Sequence, residues 1–393
     1  MKAHIAILTH LILLMTYSLG WAQEKKHSWA SDHMEFSGYV KYLNISTFNS
    51  LDSIANDNLL HNRLNFKVYA NDALTAAIEL RNRFFWGTSV QNTPNYGQFL
   101  KNSNQDIDMS MLVVDKPALI GLSTIDRLYL DFHSGKWQVI LGRQRINWGK
   151  NLVWNPNDLF NAYSFIDFDY EERPGSDALR AQYYVSGNAS WEMAINYANA
   201  WNRNTVALKY NFNKFEYDFQ VLAGKYMEDL VVGLGWEGAI KTVGLKGELT
   251  YFAPKGEANQ SEEALVGSIS LDYYFKNGLS MNLSSLYNGN GIKTSEALDI
   301  SGLSSTTLNA KQLMPNRWSY FAQVSDPITP AITASLSTIY AKELDAIFIM
   351  PQFQYAISQN WNFDVTGQIF YGKENDSFGN LGNSVFLRFR YDF

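Results

Sequence analysis

Arginine is the residue type through which this sequence could do chemistry. Eight of its twelve arginines fall between Arg63 and Arg180. Guanidinium groups in a row hold carboxylates and phosphates bidentately and bias a passage toward anions. Arg63, Arg81, Arg83, Arg127 and Arg180, joined by Arg388 and Arg390 near the C-terminus, are the candidates for such a role. Arg81, Arg127 and Arg180 are expected to line one electropositive sector; pairing with Glu79, Asp131 and Asp177 to stiffen a wall is the competing reading. Histidine chemistry has little to work with, since beyond residue 22 only His27, His33, His61 and His133 occur. An acyl-transfer or hydrolytic site needs a histidine beside a serine or paired acids. His27 and His33 precede the first expected strand, His133 falls in a tight turn, and His61 is expected to be a solvated loop residue. Glu35, Asp52 and Asp57 match no calcium-ligand spacing. The expectation is a chain without catalytic function, metal or cofactor.

Those arginines need elements to carry them, and composition says which kind. Charged residues make up 18% of the 393-residue chain and aromatics 15%, a balance unlike that of an ordinary soluble domain. Beyond the first two dozen residues no apolar run reaches the length of a spanning helix. A chain with many rings, few charges and no long apolar run meets lipid one residue in two. The acidic balance, a formal charge of -6, argues against nucleic acid as a partner. The absence of cysteine removes disulfides and thiol chemistry. Lys2, the apolar run Ile5 to Leu14 and the small residues at Gly20 and Ala22 read as a signal peptide over 1–22, with 23–35 a short periplasmic segment.

From residue 36 to 393 the dominant period is two. Val385, Leu387, Phe389, Tyr391 and Phe393 alternate with Phe386, Arg388, Arg390 and Asp392, which gives a strand one face for hydrocarbon and one for water. About 18 such segments can be counted, an even number suited to a closed antiparallel barrel. The expected breaks alternate: tight turns at 71–72, 133–135, 186–188, 213–214, 237–238, 276–277, 326–327 and 358–360, and long connections at 47–61, 85–124, 145–176 and 288–316. Short turns on the periplasmic rim and long extracellular loops identify a single transmembrane β-barrel. Leu64, Phe66, Val68, Leu128, Leu130, Phe132, Trp191 and Met193 sort to the lipid face; Asn65, Lys67, Glu79, Tyr129, Asp131, Gln182, Gln220 and Asp364 sort inward with the arginines. A polar interior of that width leaves an aqueous channel, so the expected function is passive diffusion of small hydrophilic solutes, with anions or sugars as candidates. A surface-polysaccharide-binding barrel without an open pore is the alternative, suggested by Phe84, Phe85, Trp86, Tyr96 and Phe99.

The C-terminal strand resembles the last strand of bacterial outer-membrane barrels. That resemblance implies recognition by the barrel-assembly machinery, with Phe389, Tyr391 and Phe393 as the assembly signal, and places the protein in outer-membrane lipid. A second resemblance lies in the connection at 145–176. The stretch Gly142-Arg143-Gln144, Asn147-Trp148-Gly149, Asn155-Pro156-Asn157-Asp158-Leu159-Phe160 and Arg173-Pro174-Gly175-Ser176-Asp177-Ala178-Leu179-Arg180 is similar to the alginate-export porins. The resemblance implies an 18-strand barrel, an arginine-lined lumen and a constriction to which Arg143, Arg145, Lys150, Arg173 and Arg180 contribute. Asp167, Asp169, Glu171 and Glu172 depart from a polyanion pathway, so architecture and passive transport carry over and the alginate substrate does not. A connection of this length without regular structure is expected to be functional, either narrowing the lumen or capping its mouth. Continuing the alternation from Leu141 puts Arg143 and Arg145 on the lipid face unless a bulge near Gly142 turns them.

Overall fold

The computed structural model of the chain describes residues 29–50, 53–101, 107–162, 165, 172–255, 262–293, 309–374 and 377–393. The expected signal peptide, Asp52 and the acidic residues Asp167, Asp169 and Glu171 lie outside them. A short helix, α1 (Trp29–His33), leads into β1 (Met34–Ser50), β2 (Ser53–Asn71) and β3 (Leu74–Gly87). Two more short helices, α2 (Thr88–Asn92) and α3 (Tyr96–Lys101), precede β4 (Ser110–Lys116), β5 (Leu119–Ser134) and β6 (Trp137–Gln144). The remaining strands are β7 (Ser176–Ser186), β8 (Ala189–Asn196), β9 (Thr205–Lys214), β10 (Tyr217–Tyr226), β11 (Asp229–Ile240), β12 (Val243–Pro254), β13 (Ala264–Tyr274), β14 (Ser280–Asn288), β15 (Trp318–Thr329), β16 (Ile332–Ala341), β17 (Ala346–Ala356), β18 (Trp361–Glu374) and β19 (Ser377–Asp392).

Every neighbouring pair is antiparallel, and β19 pairs with β1 from Asn383↔Phe48 to Asp392↔Tyr39, which closes the sheet into an 18-strand barrel. The last residue completes the seam, because Phe393 and Gly38 exchange two backbone hydrogen bonds of 3.0 Å. Closure leaves no edge in hydrocarbon, the condition under which strands can span a membrane. Side chains alternate as the sequence implies: Leu128, Leu130, Phe132, Trp191 and Met193 are exposed on the outer face, whereas Arg63, Arg127, Glu192 and Gln220 are buried inside. Ring pairs Trp137–Tyr183, Trp191–Tyr210 and Trp361–Tyr391 meet at a tilt with centroids within 5 Å near the tight-turn rim, where an interfacial girdle belongs.

Several expected boundaries move, each for a physical reason. The connection expected at 47–61 is instead the upper part of two long strands, paired up to Ser50↔Ser53. Its Asn, Ser and Asp residues read as loop, but they bond across the ribbon, as in Ser46 Oγ→Asn56 Oδ1 (2.8 Å) and Tyr42 OH→Asn58 Oδ1 (2.7 Å). Above the bilayer, a strand needs no apolar face. Met34 and Glu35, assigned to the periplasmic segment, already belong to β1. The turn expected at Asn213-Lys214 lies at Phe215 and Glu216, both with positive φ, a type I′ geometry made without the usual Asn-Gly. Pro327 sits in a bulge of β15 rather than at its end, where the missing N–H costs no ladder bond.

The connection expected at 85–124 contains the strand not foreseen, β4. It pairs with β5 over Ser110↔Thr124 to Lys116↔Leu119, while β6 pairs with the same edge of β5 further along, over Leu128↔Arg143 to Ser134↔Trp137. Where β6 leaves the wall, β4 takes over its place beside β5. Arg143 bridges the junction: it donates to the carbonyls of Ile125 (3.0 Å) and Ile107 (2.6 Å) and pairs twice with Asp177 at 2.8 Å. Gly142, at φ +120° and with Leu128 O only 2.2 Å from where a Cβ would stand, supplies the backbone geometry beside it. Arg143→Met should therefore strand the buried Asp177 carboxylate and destabilise the barrel by about 3–5 kcal/mol. Urea unfolding of the refolded protein in micelles measures this, and adding Asp177→Leu should recover most of the loss.

Candidate functional site

Residues 145–162 turn inward from the end of β6 and pack inside the barrel. Ile146 N donates to Asn161 Oδ1 at 2.8 Å, and Asn161 Nδ2 donates to Pro174 O at 2.7 Å, so the two ends of the segment meet at its base as in an Ω-loop. One wall residue holds its middle. The Glu248 carboxylate on β12, 1% exposed, accepts the backbone N–H groups of Lys150 (2.5 Å), Asn151 (3.2 Å) and Asn157 (2.9 Å). A carboxylate with three amide donors can remain buried because its charge is solvated by the loop itself.

Asparagines complete the seat. Asn157 accepts from Thr250 Oγ1 (2.7 Å) and donates to Leu234 O (3.1 Å). It reaches that carbonyl because β11 has glycine at 233 and 235: a Cβ at Gly233 would lie 2.5 Å from Asn157 Oδ1, and one at Gly235 3.0 Å from its Nδ2. Asn151 donates to Ser268 Oγ (2.6 Å), which in turn donates to Trp154 O (2.9 Å). Trp148 Nε1 donates to Glu192 on β8 (2.7 Å), and Gln220 donates to Trp148 O (2.8 Å). Ile146, Trp148, Val153, Trp154 and Leu159 are buried against Ala194, Ala207, Val266, Leu286 and Phe321, where small wall residues make room for the large loop ones. Ala310, Leu313 and Met314, from the connection after β14, join the same cluster.

The opposite wall is charged. Strand register places Arg390, Lys41, His61 and Arg83 at one level across β19, β1, β2 and β3. The next level holds Tyr39, Arg63 and Arg81. Arg63 binds Glu79 (2.5 Å) and Asp126 (2.6 Å), and Arg81 Nε lies 3.3 Å from Asp126. Arg388 pairs with Asp364 (2.9 Å) and Arg390 with Asp392 (2.8 Å), the latter guanidinium also 4.2 Å above the Tyr39 ring. Arg83 stacks over Phe85. Arg127 donates to the carbonyls of Glu172 and Arg173 and so ties the returning end of the loop to β5; Tyr39 OH lies 3.4 Å from His61 Nε2. Near the tight-turn rim, Gln354, Asn362, Asp364, Arg388, Arg390 and Asp392 border a cavity of about 470 Å³.

The candidate residues thus fall into separate groups. Arg63, Arg81, Arg83, Arg127, Arg388 and Arg390 share the charged wall. Arg180 lies apart, pairing with Glu192 at 2.6 Å beside Lys209, so it does not form one sector with Arg81 and Arg127. Arg143 is built into the wall, Arg145 is exposed, and Lys150 reaches Glu237 at 3.7 Å. Arg173 takes a left-handed conformation at φ 57° where the loop rejoins β7. Phe389 and Phe393 are exposed on the outer face, and Tyr391 packs at a tilt between Trp361 and Phe393. His61, expected to be solvated, is 1% exposed in β2 with its ring edge-on to Tyr39 at 5.3 Å. Asp57 accepts from Ser89 N and Oγ, Glu35 from Tyr69, and no metal-holding cluster occurs among the described residues. Glu248, Glu192 and the Gly233/Gly235 recess were missed; the available signal was acids at inward positions of β8 and β12, alternating with lipid-facing residues such as Trp191, Met193, Leu249 and Tyr251.

Glu248→Ala should orphan three buried amides at roughly 1–3 kcal/mol each, enough to free the loop while the strands stay paired. Trypsin cleavage of the folded protein at Lys150, read by mass spectrometry, should be slow in the parent and fast in Glu248→Ala and in Gly235→Leu.

No family model matches the sequence, and no curated protein matches it. Solved structures do. Pseudomonas aeruginosa OprD superposes with a TM-score of 0.59 at 8% identity, covering 92% of this chain and 95% of that one. The outer membrane protein opdK of the same organism gives 0.56 at 10% identity over 91% and 98% of the two chains. Acinetobacter baumannii OccAB1 gives 0.54 at 9% identity over 95% and 99%. At these identities the likeness is one of fold.

Proposed function

We propose that this chain is a bacterial outer-membrane porin through which small hydrophilic solutes diffuse passively. The observation that carries the reading is a closed barrel with an apolar exterior and a charged, cavity-bearing interior, narrowed by one loop seated against one side. A barrel of this strand number encloses more space than wall side chains fill. The fold shared with the outer membrane protein opdK supports the location, as does the signal-peptide pattern over 1–22. Phe389, Tyr391 and Phe393, at the strand that closes the barrel, fit an assembly signal read by the barrel-assembly machinery. The stretch from Gly142 to Arg180 supports kinship with alginate-export porins in architecture; the polyanion substrate is not part of the proposal.

Most guanidinium groups of the charged wall are held by carboxylates, which limits the field they present. Arg83, half-buried on β3 at the level of Lys41 and His61, is the best candidate for a mild anion preference. Loop residues Arg145, Lys150 and Arg173, with Arg180, would act on the other side of the passage. A second reading, a surface-polysaccharide-binding barrel, draws on Phe85, Tyr96 and Phe99, which pack in sequence with Phe99 69% exposed.

Planar-bilayer recording separates the two: the refolded protein should conduct, and the absence of current at every voltage would overturn the porin reading. Replacing Arg83 by Gln should lower the anion-to-cation permeability ratio by up to about twofold, read as the reversal potential in a salt gradient.

A further inference from the structure

Strand β10 runs 10 residues between tight turns at both ends, the length at which a tilted strand just crosses hydrocarbon. Gln220 and Leu222 point inward, so Val221, Ala223 and Lys225 point outward. Lys225 lies at the end away from the periplasmic turn at Phe215 and Glu216, where hydrocarbon gives way to water and a lysine on the lipid face costs little. Below it the wall is hollowed. Strand register aligns Leu208, Ala223, Val232, Tyr251 and Leu265 at one level across β9 to β13. The short Ala223 side chain sits between the longer Leu208 and Val232, and a furrow of about 610 Å³ opens along β10. Lys225 Nζ donates to Asn204 O at 3.0 Å. Lys255, exposed just past β12, is tied to the β10–β11 turn by its N–H to Glu228 O (3.1 Å), and its charge repels that of Lys225. Two acids stand nearby: Glu228, which attracts Lys225 and accepts from Asn202 Nδ2 (2.9 Å), and Glu263, which accepts from Tyr251 OH (2.7 Å).

We infer that this furrow binds a phosphorylated glycolipid of the outer leaflet, with one acyl chain along Ala223 and a phosphate held between Lys225 and Lys255. The apolar floor and the cations are stacked in the order in which such a lipid presents its chain and its headgroup. The stem of Lys225 can lie on the furrow while its ammonium stays at headgroup depth. A phosphate between the two lysines removes their mutual repulsion, and each lysine near a membrane surface adds about fivefold to the affinity for an anionic lipid. The leaflet is fixed by the fold: the lysines stand at the rim opposite the periplasmic turns, and the outward leaflet of a bacterial outer membrane is built of acylated, phosphorylated sugars. By contrast, Lys373 at the outer end of β18 is paired with Asp345 and has no second lysine beside it in the strand. The inference needs the barrel's orientation in the membrane but holds whether or not the barrel conducts.

Native mass spectrometry of the full chain refolded in non-ionic detergent, with purified diphosphorylated lipid A added, reads the site directly. The parent should retain a single lipid A per barrel. Lys225→Gln combined with Lys255→Gln should weaken retention by about tenfold or more. Ala223→Phe, which fills the furrow and keeps both charges, should weaken it comparably; if that variant does not fold, judged by its migration in an unheated SDS gel, Ala223→Leu serves. Lys342→Gln combined with Lys373→Gln removes the same charge at another part of the rim and should leave retention unchanged. Phosphatidylglycerol retained as well as lipid A would overturn the glycolipid assignment. No retention by the parent, equal retention by the lysine and furrow variants, an equal loss in the Lys342 and Lys373 variant, or paired barrels in place of bound lipid would each overturn the site. Conductance enters none of these outcomes, so a failure of the pore reading is seen separately.

Discussion

A buried carboxylate that accepts three backbone amides is the interaction on which the interior depends. Without Glu248 the segment from Lys150 to Asn157 would bring unpaired N–H groups into a lumen wall, a cost set against the apolar contacts of Trp148, Trp154 and Leu159. With it, the loop becomes part of the barrel's packed interior. The wall is shaped to match: glycines at 233 and 235 admit Asn157, alanines at 194 and 207 admit the loop's large side chains, and Glu192 meets the Trp148 indole. The lumen consequently has two unlike halves, one filled by loop and one lined by ion pairs.

The exterior obeys a simpler constraint. Hydrocarbon offers no hydrogen bonds, so each strand must find two neighbours, and the chain meets this from Gly38 to Phe393 by closing on itself. Since only alternation and closure are demanded, little sequence is specified. That accounts for a shared fold with OprD at 8% identity.

Legibility in the sequence followed the same division. Within the membrane the period-two pattern gave the strand count, the closed architecture and the face on which Leu128 or Arg63 stands, because hydrocarbon on one side and water on the other write that pattern directly. Above the membrane the pattern loses its cause. The polar ribbon around Asn56 and the strand Ser110–Lys116 were therefore read as loop, and the Phe215–Glu216 turn was misplaced by two residues because its residues are not turn formers. The long connection after Gln144 was visible as unusual, but its partners were not. Glu248 stands about a hundred residues away, and a single acid within an alternating strand does not announce three amide contacts. His61 was misjudged for a related reason, since its neighbours Tyr39 and Arg83 come from other strands.

The succession of β6 and β4 along one edge of β5 has a consequence for how such barrels diversify. A single position in the wall is occupied by two pieces of chain that are not consecutive: one serves the lower storey, the other the upper. The piece that departs is free to explore the interior while the cylinder remains intact. Inner architecture and outer architecture are thereby uncoupled at this rim, with Arg143 as the coupling pin that lets one be remodelled without reopening the other.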